Sequence, residues 1–459
     1  MKAPFKLAMS ALVGTTAALG CLVQGAAGAS ATNAAGRSLE GASGRIQHLI
    51  VIIQSHHSFD NYFAGYPGAA GVPAGVCVPT GSGVGCVKPF TLDSSQSKAG
   101  LNDSAASMAR AIDGGAMDGF VRAQANAQVG ETTMGHYSPS ELDYYWSLAK
   151  RFTLFDHFFA ATPGGSFPNR LFAIAGQDGG FTTAAGAEGA DPPTIFAELG
   201  AKGISWKYYV QGLTPSAKAA PSSSQRRLVP LLAMPKAMSD PAISSRVTGA
   251  GQYFTDLESG NLPAVSYIAG TSSSEQPPQD PRKGEAFVRT IVNALMQSPD
   301  WATSAVLLTW DDAGGWYDHV VPPMVGSNPP QQLGLRVPAI LISPFSRSGV
   351  VVHQQMDTTS ILRFIERNWG LAPLTSRDAS AASVAAGLDL SRKPIPPQVS
   401  LAVAVAPTVT AGSNWRVYAF YLGSVVMAGG ILAFAIGWER RKNARGDPVP
   451  GPHLVESGR

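Results

Sequence analysis

Short apolar runs, each closed by turn formers, recur along the chain. Residues 46–53 read IQHLIVII, a largely apolar run of strand length. Residues 305–310 (AVLLTW), 204–210 (ISWKYYV), 265–268 (VSYI) and 337–343 (VPAILIS) have the same character. Between them lie stretches with helical signals. Residues 104–112 are one. Residues 141–150 follow Ser138 and Glu141, which have capping-box spacing. Residues 192–199 and 284–297 are two more. Residues 359–369 put Ile361, Phe364 and Ile365 on one face. Strands that alternate with helices predict an α/β fold with a mainly parallel central sheet and helices on both faces.

The two ends of the chain have a different pattern. Lys2 and Lys6 precede a run of apolar and small residues from about 7 to 23, and Ala27-Gly28-Ala29 fits a cleavage site. A signal peptide is expected over 1–29. Cys21 is not expected to carry lipid, because Ala18 is a poor start for that signal. A linker rich in Pro, Ala and Val is expected over 394–415, after a main domain over 30–393. Residues 417–438 carry no charge, and Trp415, Tyr418, Tyr421 and Trp438 lie near the ends of that run. A transmembrane helix is therefore expected over 416–438. Arg440, Arg441, Lys442 and Arg445 begin a basic tail over 439–459, which places the tail in the cytoplasm and the large domain outside.

Composition adds three constraints. Hydrophobic residues make up 45% of 459 residues, which is ample for a large core. A net charge of +3, with no basic run interleaved with aromatics, argues against nucleic acid as a partner. The oligomeric state is left open. Export permits disulfides, and Cys77 and Cys86 flank a turn-rich loop, so their pairing is expected.

Candidate chemistry collects after the strands. Asp311 and Asp312 close the run at 305–310, Gly314-Gly315 turn the chain, and Asp318-His319 follow. His56 and His57 close the run at 46–53 in the same way. Ligands of open α/β sheets bind outside the carboxyl ends of strands, so these clusters suggest a divalent metal. A solvated acidic turn is the other reading. Adjacent histidines point apart, so at most one of His56 and His57 is expected at an ion. Ser166 sits in PGGSFPNR, where Gly164-Gly165 turn the chain and Pro168 suits a first helical turn. It reads either as an ordinary N-cap or as a hydroxyl that attacks or holds a phosphate. No G-x-S-x-G surrounds it, which leaves an α/β-hydrolase triad unsupported.

Six motifs in order, IQHLIVIIQ with HSFDNYFAGYPG, MDGF, PGGSFPNRLF, LPAVSYI, WDDAGGWYDHVVPP and RVPAILISPFSRSGVV, resemble one family. It is the bacterial phosphoesterase family of non-specific phospholipases C and related acid phosphatases, a branch of the alkaline-phosphatase-like fold. The resemblance runs from about residue 46 to 371. It implies a metal-dependent hydrolase of phosphate esters, with phospholipid as one substrate class. It makes Ser166 the nucleophile, Asp311 and Asp312 metal contacts, and His319 an acid or a ligand. Asn169, Arg170 and Asp318 are candidates for the phosphate. The resemblance is also broken at several places. The family's E-N-R-S-F-D reads Ser55-His56-His57-Ser58-Phe59-Asp60. A His upstream of M-D-G is replaced around Asn102-Asp103, another is Gln276, and a D-H pair reads Asp357-Thr358. Two expectations follow. In one the site is rebuilt around a single divalent ion (Ca, Mn, Mg, Zn or Fe) held by His56, Asp103, Asp311 and Asp312. In the other, catalysis is lost and the domain is a membrane-tethered binding or cell-envelope protein.

Overall fold

The apolar runs become the centre of one eight-stranded sheet. Its strands, in chain order, are β1 (His48–Gln54), β2 (Thr153–Phe155), β3 (Trp206–Val210), β4 (Val247–Gly249), β5 (Val265–Ala269), β6 (Ser304–Trp310), β7 (Ala339–Ile342) and β8 (Val350–Val352). In space they lie in the order β8-β2-β7-β6-β1-β5-β3-β4. The computed structural model describes residues 44–399, apart from 81–84, 93–99, 182, 184–191, 215–219 and 327–328. The expected leader, membrane span and basic tail, and all but the first residues of the expected linker, lie outside the described residues. Among the described residues, no helix is long and apolar enough to cross a membrane.

All seven residues of β6, and six of the seven in β1, are buried. A strand buried at successive positions is covered on both faces. Two groups of helices provide the cover. Asp143–Arg151 packs on Pro281–Gln297, which packs on Gly251–Glu258. Ser166–Ala175 packs on Ile195–Ala201, Ser223–Leu228 and Ser360–Trp369. Leu49, Ile50, Val51 and Ile52 of β1 are wholly inaccessible to solvent. Burying each such side chain contributes about 1.5–3 kcal/mol.

The sheet is mainly parallel, as expected, with one strand reversed. β7 runs antiparallel to both of its neighbours, β6 and β2, so the sheet is mixed. The reason lies in the connection. Among the described residues between β6 and β7 there is no helix to carry the chain back across a face. A strand that re-enters from the end where its neighbour left runs antiparallel. The helix expected from 141 begins at Asp143. Ser138 instead closes a turn ahead of it, donating from N and Oγ to Glu141 Oε2 at 2.9 and 2.8 Å. Cys77 and Cys86 form the expected disulfide.

Register positions the site. Gln54 at the end of β1 lies level with Trp310 at the end of β6. The next residues of both strands, Ser55-His56 and Asp311-Asp312, therefore leave the sheet side by side. Asp311 N donates to Gln54 O at 3.0 Å, and His57 N to Asp312 O at 3.0 Å, so the pairing continues past the strands.

Candidate active site

His56 takes a left-handed backbone conformation, φ 66°, directly after the parallel pair ends. That reversal sends the two histidines apart. His57 turns inward, wholly buried, with Nδ1 2.7 Å from Asn61 Oδ1 and its ring stacked on Tyr62. Burial lowers its pKa to about 3, so it is a neutral core group. His56 turns toward the carboxylates. Gly314 makes room for it: a Cβ there would lie 2.3 Å from His56 O and 2.5 Å from His56 Cβ. A side chain at that position is sterically excluded.

Ser166 reaches the same point from the other side. It is the first residue of the helix Ser166–Ala175, and Gly165 occupies the N-cap. The N-cap reading of Ser166 is thereby corrected, because its hydroxyl points at other side chains. Its Oγ lies 3.0 Å from His56 Nε2 and 3.3 Å from Asp312 Oδ2. On the far side of the imidazole, Nδ1 is 3.1 Å from Asp103 Oδ2 and 3.7 Å from Asp312 Oδ1. Asp103 comes from the segment just before the helix Ala105–Ile112. Segments at 56, 103, 166 and 312 thus converge, and a cavity of about 540 Å³ opens beside His56, Asp103 and Ser166.

Charge orders the cluster. Burial works against the imidazolium, but Asp312, Asp103 and Asp311 outweigh it and raise His56 to about 9. A doubly protonated ring donates from Nδ1 to Asp103 and from Nε2 to Ser166 Oγ, which leaves the hydroxyl proton for Asp312. Burial, reinforced by Asp311 and Asp103, holds Asp312 well above the usual carboxylate range. Burial also acts on Asp311, yet the Arg170 guanidinium and His56 bring it below that range. Asp312 therefore binds a proton readily, whereas Asp311 stays ionised.

Several expected site residues have other partners. Arg170 is 2% exposed and spends its donors inside the protein. Nε donates to Asp311 Oδ2 at 2.7 Å, and the other nitrogens to Leu228 O, Ile53 O and Ser55 Oγ at 3.0, 2.8 and 3.1 Å. It neutralises Asp311 rather than a phosphate. Ser55 Oγ donates to the same carboxylate at 2.9 Å. The tandem aspartates thus divide: Asp312 faces the serine, and Asp311 is the counter-ion of a buried arginine. The Asn169 amide clamps the loop before Ser166, accepting from Thr162 N at 3.0 Å and donating to Gly164 O at 2.8 Å. Asp318 and His319 belong to a separate buried network. His319 Nδ1 lies 2.7 Å from Asp60 Oδ2, and Arg336 donates to Asp60 at 2.9 Å and Asp318 at 2.8 Å. Neither lines the Ser166 cavity among the described residues. The pull of Arg336, a cation buried just before β7, decides their place.

A single metal ion fits the remaining donors. His56, Asp103 and Asp312 each offer one ligand atom, all within 4.8 Å of one another. One nitrogen and two oxygens suit a borderline or hard divalent cation. Asp311, engaged by Arg170, drops out of the expected set. Arg227 and Gln276 also line the cavity. Gln276 is visible in the sequence only as a replaced histidine, and nothing in the local pattern separates Arg227 from its neighbour Arg226.

The Phosphoesterase family model matches residues 46–372. Non-hemolytic phospholipase C of Pseudomonas aeruginosa is 27% identical over 388 residues, covering 71% of this chain and 54% of that protein. Phospholipase C B of Mycobacterium tuberculosis is 27% identical over 425 residues, covering 78% of this chain and 80% of that one. The chain thus spans only about half the length of the first relative. A solved protein of the alkaline phosphatase superfamily from Vibrio parahaemolyticus aligns at 11% identity, with a TM-score of 0.37, over 74% of this chain and 71% of that one.

Proposed function

The chain belongs to the Phosphoesterase family, and from that premise we propose that it hydrolyses a phosphate ester by attack of Ser166 Oγ on phosphorus. The observation that carries this is the position of the hydroxyl between His56 Nε2 at 3.0 Å and Asp312 Oδ2 at 3.3 Å. As the Oγ–P bond forms, the hydroxyl proton passes to Asp312, whose raised pKa suits a proton acceptor. The P–O bond to the alcohol breaks, and the leaving oxygen takes up a proton. Water then cleaves the Oγ–P bond, restoring the hydroxyl and releasing phosphate from a monoester or a phosphate monoester from a diester. His56 holds the serine oxygen by its Nε2–H while Asp103 fixes the ring through Nδ1. In place of that imidazolium, a neutral His56 would hold a divalent ion through one ring nitrogen together with Asp103 and Asp312, and the ion would lower the pKa of the hydroxyl and offset phosphate charge.

A second reading rests on the 3.1 Å contact of His56 Nδ1 with Asp103. There, the imidazolium is itself the cation beside the nucleophile, and no ion is needed. Substrates of either chemistry are phosphate monoesters or diesters, and the relatives named phospholipase C support a phospholipid headgroup. The domain acts outside the membrane, tethered through 416–438.

The test is turnover of p-nitrophenyl phosphate and p-nitrophenyl phosphorylcholine by the full-length protein. Ser166→Ala is expected to lower kcat/KM by at least about 100-fold. Unchanged turnover in that variant removes the mechanism, and no turnover by the parent favours a binding protein on the same scaffold. A chelator abolishes activity in the metal reading and spares it in the imidazolium reading.

A further inference from the structure

A phosphate that reaches Ser166 comes close to the carboxylates of Asp103, which lines the cavity, and of Asp312, 3.3 Å from Ser166 Oγ, so it needs a cation on its outer side. Arg170 is committed to Asp311. Arg227, on the helix Ser223–Leu228, lines the same cavity as His56 and Ser166. Among the described residues lining that cavity, it is the only Arg or Lys. One of its terminal nitrogens donates to Gln276 Oε1, which also lines the cavity. Its Nε is buried and donates to no acceptor among the described residues. The buried Nε is out of a ligand's reach, so an oxyanion in the cavity would meet the terminal nitrogens of the guanidinium.

We propose that Arg227, oriented by Gln276, is the oxyanion-binding residue of this cavity and takes the non-bridging oxygens of a phosphoryl group. The proposal rests on the reading of Ser166 as the nucleophile of the same cavity. The planar fork of a guanidinium matches two phosphoryl oxygens, and Gln276 fixes its plane before the ligand arrives. It also supplies a separate cation where Asn169, Arg170 and Asp318 do not.

The test measures inorganic phosphate and phosphorylcholine binding to the full-length protein by ³¹P NMR titration, in parallel with the kinetics of p-nitrophenyl phosphate. Arg227→Ala is expected to weaken both ligands by about tenfold or more, with Arg227→Lys intermediate. KM should rise more than kcat falls. Gln276→Ala, which keeps the charge, should weaken phosphate by a smaller factor. Circular dichroism melts confirm that each variant folds. Binding by Arg227→Ala within twofold of the parent overturns the proposal, as does a parent that binds neither ligand. Loss of binding in Arg227→Ala, with no turnover by the parent, keeps the subsite and removes the hydrolase reading.

Discussion

At the scale of single residues, the site depends on what Gly314 lacks. Its φ of 60° and its closeness to His56 leave no space for a methyl group. Gly314→Ala should cost roughly 2–4 kcal/mol through strain and overpacking. It should also displace His56, and a shift near 1 Å at a reacting geometry lowers turnover by about 100-fold. Thermal melts and kcat/KM on one preparation check both effects, and an unchanged kcat/KM would show that His56 does not hold the nucleophile. This dependence was half legible in the sequence. Gly314-Gly315 after an acidic pair announces a tight turn, but what the turn must clear is a residue 258 positions earlier. His56 likewise reads as an altered position of a family motif. Its partnership with Asp103 needs the fold, because no local period links the two segments. Arg170 shows the reverse failure. A cation in a phosphatase-like motif suggests phosphate, whereas its burial beside Asp311 makes it an internal counter-ion.

At the scale of elements, the strands were the most legible feature, because long apolar runs have one physical use in a domain of this size. β1, β3, β5, β6 and β7 fall where the pattern places them. β4 and β8, three residues each, carry too little pattern to stand out, and they close the two sheet edges. The direction of β7 was illegible for a different reason, since it depends on the absence of a crossover helix. The helix Ser360–Trp369 offers a test of electrostatics within an element. Burial, and the neighbouring Asp378 carboxylate, raise Glu366 to about 8. Its Oε2 is buried and receives no donor among the described residues. A proton carried there and given to Asp378 satisfies both groups. Because the folded pKa exceeds the ordinary value of 4.5, the folded state binds the extra proton. That stabilisation is complete below 4.5 and is lost as pH rises through about 8. Glu366→Gln imitates the protonated form. The melting temperature should match the parent near pH 5 and exceed it by about 2 °C or more at pH 9. Parallel pH–Tm curves for the two proteins would refute the shared proton.

At the scale of the whole molecule, two polar clusters follow the same parallel pair of strands, and they divide the work. The His56 cluster opens into a cavity, whereas in the other cluster Asp60, Asp318 and Arg336 are buried and His319 is half-buried. Arg336 is wholly buried, with its guanidinium over the Phe59 ring and its donors on Asp60, Asp318, Ala70 O and Asp156 O. It thereby ties the chain after β1, the chain just after β2, the turn after β6 and the approach to β7. Arg336→Met removes the cation and leaves Asp60 and Asp318 buried together. The loss should be about 3–5 kcal/mol, read from urea unfolding. His319 separates architecture from chemistry. In sequence it sits in the same motif as the aspartates, which makes it a natural acid. In the fold its Nδ1 is held by Asp60, and it stands outside the Ser166 cavity. His319→Asn should therefore lower stability while kcat/KM and its pH profile keep their shape. A lost basic limb in that profile would return His319 to the chemistry, and would mean that the loop 311–319 moves as a unit when substrate binds.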